Sequence, residues 1–294
     1  MDRCPYCLVG RPGERLVARE MTFGWREEFE YFICDTCASV SIGTLPENIA
    51  RYYEGYSNFT WRPPETRGLK LLIVLMRLGV GRPLVRACKA LIRNPREIMW
   101  AHLSPNMQAM MYLAPRRTAR ILDVGSGGGE MIELMRRMGY SAALGLDPFI
   151  PDDHQLVRAG MVRRMHLADV HERYDVVVFN HSLEHVPDPE AVLGQARDAL
   201  VEGGTVLVQI PNVDSIDFRK YRGNWWVMHA PRHFHMPSER GLAMIADRVG
   251  LEIVDRIFVS RPDHYFYSRE YQQDIWDNDP RSWRMGKDQN IWTM

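Results

Sequence analysis

The sequence lacks an excess of charge of either sign, an apolar run long enough to cross a bilayer, and all but five cysteines in 294 residues. Thirty-seven Lys and Arg balance thirty-seven Asp and Glu. No global field draws such a chain to nucleic acid, and no nucleic-acid partner is expected. The most apolar stretch, "LKLLIVLMRLGVG", holds a core of about ten residues, short of the roughly 20 a membrane helix needs, so no transmembrane segment is expected. Together with "RPLVRACKALIRNPREIMW" it reads as a helical pair over residues 69–100, with basic residues among the apolar ones. That pair either packs on its own domain or lies on a membrane surface as a peripheral contact. The opening "MDRCPYCLVG" has neither the basic nor the apolar region of a secretory signal. The expected location is therefore the cytoplasm, with thiols reduced or metal-bound.

What is present divides the chain. Residues 1–45 carry four cysteines and strand-like segments such as "FEYFIC", and read as a small module. Residues 46–117 form a connecting, largely helical region that includes Pro63 and Pro64. From residue 118 to 260 strand and helix patterns alternate: strand 120–124, helix 129–138, strand 142–147, a short strand at 161–166, strand 174–180, helix 189–200 and strand 205–210. Such alternation predicts an α/β fold with a mostly parallel, doubly wound sheet. Asp188-Pro189-Glu190 supplies a helix start, and "VEGG" at 201–204 the matching stop. An irregular segment rich in aromatics and histidine spans 211–237. Helix 238–249 and strand 252–259 follow it. In the tail, 261–294, "HYFYS" is a candidate for one more strand.

The stretch "ILDVGSGGGEM", residues 121–131, is a strand, a glycine turn and a helix start. Nucleoside triphosphates are excluded, because Glu130 and Met131 stand where a phosphate loop needs Lys and Ser or Thr. A dinucleotide is disfavoured by the glycine spacing and by Glu130, which repels a pyrophosphate at the helix start. Asp123, two residues before the turn, suits instead a ligand with an amino-acid end, an adenosine end and no phosphate.

With "LGLDPF" and "YDVVVFNHSLEHVPDPEAVLGQARDALVEGGTVLVQIPN", this stretch resembles the class I S-adenosylmethionine-dependent methyltransferases over about residues 118–260. The resemblance implies a Rossmann-like, mostly parallel seven-stranded sheet and S-adenosylmethionine as cofactor. It implies that Gly125, Gly127 and Gly129 let the backbone approach the methionyl part, and that Asp123 orders the loop and receives the ammonium group. Asp147 would accept the ribose hydroxyls, and Asp169 would stand near the adenine amine. Asn180, His181 and Leu183 would line the sulfonium side.

"CPYC" and "CDTC" place Cys4, Cys7, Cys34 and Cys37 as two C-x2-C pairs separated by 26 residues, the pattern of a closed structural zinc site. Cys88, alone in an apolar stretch, reads as packing. The segment 211–237 is expected to cover the active site. Trp225, Trp226 and Phe234 would form walls, Arg222 and Arg232 would grip an anionic group, and His229, His233 and His235 offer titratable rings.

The base for a hydroxyl acceptor is expected to be His185 or His233, with His181 orienting nearby. His181, Glu184 and His185 have the spacing of a shared helix face, although the helix start at Asp188 favours a loop. The cysteine module, "RYYEGYSNF" and the methyltransferase-like segment together resemble enzymes acting on small molecules. A sugar, polysaccharide precursor or specialised metabolite is then the expected acceptor. The alternative is a methyltransferase-like binding protein that uses the cysteine module for protein or nucleic-acid contacts.

Overall fold

The structure is a computed structural model that describes residues 3–9, 12–54, 74, 113, 115–258 and 262–282. The helical pair at 69–100 and Cys88 lie outside the described residues, apart from Val74. The chain divides into two compact units. One comprises Met1–Tyr56, Glu184–Leu193 and Ile210–Met294; the other comprises Ser57–Leu183 and Gly194–Gln209. No helix among the described residues is long and apolar enough to cross a membrane.

The first unit contains an antiparallel sheet. Strands β1 (Pro12–Arg19), β2 (Glu28–Cys34) and β3 (Val40–Ile42) follow one another in the chain, and a distant strand, β9 (His235–Met236), pairs with β3. The segment expected as a separate module at 1–45 and the segment expected as a lid at 211–237 thus share one sheet. They also share one core, in which Leu16, Tyr31 and Ile42 pack with Phe218, Trp225 and Met236. A module this short buries little apolar surface alone, and joining the later segment enlarges its core.

The second unit holds five parallel strands. These are β4 (Ile121–Val124), β5 (Ala143–Leu146), β6 (Val162–Arg163), β7 (Tyr174–Asn180) and β8 (Leu200–Gln209), in the spatial order β6-β5-β4-β7-β8. The central strand β4 is almost wholly buried, as parallel strands covered on both faces are. Helix α1 (Glu130–Arg137) crosses from β4 to β5 and buries Met131, Ile132, Leu134 and Met135 against the sheet core. Its first turn carries Glu130 and Glu133 and its last Arg136 and Arg137, which matches the helix dipole at both ends. This is the doubly wound α/β architecture expected, with five of the seven strands present among the described residues.

Three local expectations are corrected. Residues 251–258 carry no strand: Val254 is 79% exposed and Phe258 55%, so the apolar positions have no sheet face on which to be buried. "HYFYS" lies in a helix, Pro262–Gln272, where Pro262 suits the first position and Tyr267 and Tyr271, one turn apart, are both buried. "VEGG" does not end a helix. Helix Pro189–Asp198 stops earlier and those residues fall inside β8, where the ladder to β7 is irregular and Gly203 has φ +70°.

Candidate functional site

The glycine turn is built at the carboxyl ends of parallel strands, the edge at which open α/β sheets bind ligands. Gly125 and Ser126 both donate their backbone N–H to Leu146 O, at 2.8 and 2.9 Å, which ties the turn to the end of β5. Gly125 (φ +72°) has no room for a side chain, because a Cβ there would stand 2.5 Å from that of Ser182. Gly129 (φ +81°) caps α1 in the left-handed region.

Gly127 N–H donates to Asp147 Oδ2 at 3.0 Å, and Phe149 N–H to Asp147 Oδ1 at 2.9 Å. With the Ile150 N–H also bonded to it, the carboxylate has three of its roughly four lone-pair positions engaged by the backbone. Burial raises the Asp147 carboxyl above its usual range, and the backbone N–H groups of Phe149, Gly127 and Ile150 oppose that rise. Asp123, 2% exposed, has its Oδ1 buried without a hydrogen-bond partner among the described residues. Burial, reinforced by Asp147 and Glu130, pushes its carboxyl well up. A buried, unsatisfied acidic oxygen is costly, and a ligand ammonium answers both defects. The residues therefore fit the amino-acid end of S-adenosylmethionine.

Asn180 ends β7, with its Oδ1 likewise buried and unpartnered among the described residues. His181 has φ +50°. Its N–H donates to Gln209 O at 2.9 Å, and its Nε2 lies 3.1 Å from Gln209 Nε2. Asp169, itself exposed, ends a 3-10 turn, Leu167–Asp169, whose Leu167 is buried.

In the first unit Glu184, His185 and His233 converge. Their candidate ligand atoms all lie within 4.8 Å of one another, a set of one carboxylate and two imidazoles able to hold a metal ion. His181, grouped with Glu184 and His185 by sequence spacing, is instead engaged with Gln209 in the parallel-sheet unit. His185 Nδ1 lies 2.8 Å from Arg232 O, and His233 Nδ1 lies 2.8 Å from Val227 O. A carbonyl oxygen only accepts, so both Nδ1 atoms carry the proton and, in the neutral rings, both Nε2 atoms carry a lone pair. His233 Nε2 is 3.9 Å from Glu184 Oε1, and Glu184 is fully buried. The His185 and His233 rings meet edge to face at 4.7 Å, and His229 stacks on His233 at 4.9 Å.

The other residues expected to contact substrate have different surroundings. Arg232 is 1% exposed and donates to Thr22 Oγ1 at 2.7 Å and to Tyr52 O at 3.2 Å, so its guanidinium braces the interior rather than gripping an anion. Trp225 lies in the core, edge-on to Phe218. His235 is buried in β9 with Nε2 3.2 Å from Pro187 O, and burial lowers its pKa to about 4, which keeps it neutral. Arg222 pairs with Glu14. Trp226 is held by Asp277, to which its Nε1 donates at 2.9 Å, and its ring faces His229.

Sequence reasoning missed Tyr53 and Ser182. Tyr53 OH is 3.1 Å from His185 Nδ1, and Ser182 Oγ donates to Val124 O at 2.6 Å. No spacing rule links Tyr53 to a ring 132 residues away. Ser182 had only its place after β7 to mark it.

The four cysteines of the N-terminal segment are buried and not joined by disulfides. Cys4 Sγ is 3.6 Å from Cys37 Sγ, and Cys7 Sγ is 3.6 Å from Cys34 Sγ. Thiolates about 2.3 Å from a tetrahedral zinc stand roughly 3.8 Å apart, close to this spacing. Thr36 N–H and Cys37 N–H point at Cys34 Sγ at 3.4 and 3.5 Å. The Cys4 and Cys37 thiols share a hydrogen bond, which lowers the pKa of Cys37 and raises that of Cys4.

A family model described as a methyltransferase domain matches residues 99–256, more than half of the chain. The chain belongs to the methyltransferase-domain family. The likeness to class I S-adenosylmethionine-dependent methyltransferases carried by the glycine turn and the strand-end motifs thus holds. Among curated proteins, the ubiquinone biosynthesis O-methyltransferase of Aeromonas salmonicida (strain A449) is 33% identical over 103 residues, covering 32% of this chain and 43% of that protein. The protein of the same name from Paramagnetospirillum magneticum is 29% identical over 182 residues, covering 56% of this chain and 63% of its own length. The chain therefore spans less than two thirds of these methyltransferases.

Solved structures similar to this methyltransferase-family chain include the 1,6-didemethyltoxoflavin-N1-methyltransferase of Burkholderia thailandensis (TM-score 0.45, 16% identity, 79% of this chain and 92% of that one). Another is the magnesium protoporphyrin IX methyltransferase of Synechocystis PCC 6803 (TM-score 0.42, 14% identity, 74% and 94%).

Proposed function

We propose that this methyltransferase-family protein moves the methyl group of S-adenosylmethionine to a hydroxyl of a small-molecule acceptor, a sugar, polysaccharide precursor or specialised metabolite. The observation that carries the choice of a hydroxyl is the pair of imidazoles with Nδ1 committed to backbone carbonyls, which leaves Nε2 of His185 or His233 to receive the acceptor's proton. Curated relatives named as O-methyltransferases support oxygen as the accepting atom.

The cofactor supplies an electrophilic methyl group on a sulfonium that is already a good leaving centre. The chain's task is to bind, align and exclude water. In this reading Asp123 receives the ammonium group, Gly125, Gly127 and Gly129 admit the methionyl part, and Asp147 holds the ribose hydroxyls. Asp169 faces the adenine amine, and Asn180 and His181 serve the sulfonium side. Trp226 and His229, whose rings meet edge to face at 4.9 Å, stand on the acceptor side.

The parallel-sheet unit is then the cofactor-binding part, while 211–237 belongs with the N-terminal segment to the unit that carries the histidine site. Cys4, Cys7, Cys34 and Cys37 hold a structural zinc with no open position, a role in folding rather than chemistry. Unbridged thiols suit the reducing cytoplasm.

The test is transfer of labelled methyl from S-adenosylmethionine to fractionated hydroxyl-bearing metabolites by wild type and by the His185→Gln/His233→Gln double variant. Cofactor binding with transfer confined to the wild type is expected. Equal transfer by the double variant contradicts the base assignment.

A further inference from the structure

The backbone that carries His233 is held at three successive carbonyls by the N-terminal segment. His233 O accepts from the Tyr31 hydroxyl at 3.0 Å, Phe234 O from Ile42 N–H at 2.8 Å, and His235 O from the Tyr6 hydroxyl at 3.2 Å. Tyr6, Tyr31 and Ile42 are all fully buried, so no water competes for these carbonyls. The same strip reaches the second histidine, because Phe234 N–H donates to Glu184 O at 2.8 Å and so fixes the turn that presents Glu184 and His185. Just beyond the strip, Ser238 bonds the cysteine knuckle twice: its hydroxyl donates to Cys37 O, and its N–H donates to Ser39 Oγ at 3.1 Å. A Cβ at Gly241 would fall 2.0 Å from Ser39 Oγ, so the approach of the following helix to the knuckle depends on that glycine.

A self-contained metal module would spend its buried donors on itself. This one directs two phenols and a strand amide at the histidine strip. We propose that the N-terminal cysteine segment is the positioning element of the histidine site, with Tyr31 the positioning residue that sets where His233 stands. The inference rests on the reading of His185 and His233 as the acceptor-side groups. The cofactor residues Asp123, Gly127 and Asp147 belong to the other unit, and cofactor affinity serves as the control.

Tyr31→Phe keeps the ring and removes only the donor to His233 O. The measurement is long-range 15N spectroscopy of the histidine rings in the full chain, with calorimetric titration of S-adenosylmethionine on the same samples. The expected result is a changed tautomer population at His233, where Nδ1–H to Val227 O competes with Nε2–H, with a cofactor Kd within about twofold of wild type. An unchanged His233 signal overturns the proposal, as does a cofactor Kd weakened several-fold in step with it. Tyr6→Phe serves as the second variant and is expected to shift His235 while leaving His233 in place. Should Tyr31→Phe fail to fold, hydrogen exchange on the wild type decides. The Phe234 and Ile42 amides must then exchange as slowly as the β1–β2 ladder, and exchange of Phe234 at loop rates contradicts the proposal. A wild type that ignores S-adenosylmethionine defeats the methyltransferase reading, while the histidine spectra still decide the positioning role.

Discussion

His185 and His233 present their rings edge to face 4.7 Å apart, each with Nδ1 committed to a main-chain carbonyl. In the proposed reading one ring takes the acceptor's proton with the other beside it. Each single Gln variant is expected to lose about 10²-fold in kcat, and the double variant more than either, within the range general-base catalysis supplies. Cofactor affinity stays unchanged. Single-turnover methyl transfer measures the first, and calorimetry the second.

Asp123 gives the ligand-free protein a pH dependence of defined sign. Its folded pKa is raised above the ordinary value of 3.8, first by burial and then by Asp147 and Glu130. The neutral acid is therefore favoured in the fold, and the stability linked to it is present below pH 3.8 and lost as pH rises through the folded pKa. Asp123→Asn is expected to stabilise the ligand-free chain at neutral pH, with the gain vanishing in acid, and to weaken S-adenosylmethionine binding. Urea midpoints measured across pH, with and without cofactor, check both halves.

Gly129→Ala is expected to destabilise the parallel-sheet unit by about 1–3 kcal/mol, because the residue holds a left-handed conformation that a side chain resists. The new methyl also stands 2.5 Å from Val162 Cγ2, so the Val162 side chain must move. The midpoint of urea unfolding and the cofactor affinity should fall together. Unchanged values of both would show that the turn tolerates a side chain.

One zinc per chain is expected on elemental analysis of the purified protein. Its removal by a strong chelator should lower the thermal midpoint and expose all four thiols to a colorimetric reagent together. Cys37→Ser should give the same result without chelator, since one lost thiolate opens the cage. Retention of full stability in metal-free protein contradicts the assignment.

Much of this was legible in the residues. The buried run before Asp123 and the glycines after it specify strand, turn and helix through local sterics. The cysteine spacing specifies a four-thiol cluster through loop geometry. Segment 251–258 misled because its alternating pattern implies a sheet face that the described residues do not provide. The partners of Arg232 and Trp225 were illegible for a different reason. Long-range packing decides whether an arginine meets a substrate or, as here, Thr22 and the Tyr52 carbonyl, and sequence distance carries no trace of that choice. The pairing of β3 with β9 joins positions nearly 200 residues apart, which is why the cysteine segment and the histidine strip read as separate parts.

In the proposed reading the turn after β4 holds S-adenosylmethionine and Asp147 accepts its ribose hydroxyls, which calorimetric titration of S-adenosylmethionine into wild type and Asp147→Ala decides. One-to-one binding by the wild type is expected, with an affinity lower by about 10- to 100-fold in the variant, the cost of losing charge-assisted hydrogen bonds. No binding by the wild type, or equal affinity in both proteins, would contradict it.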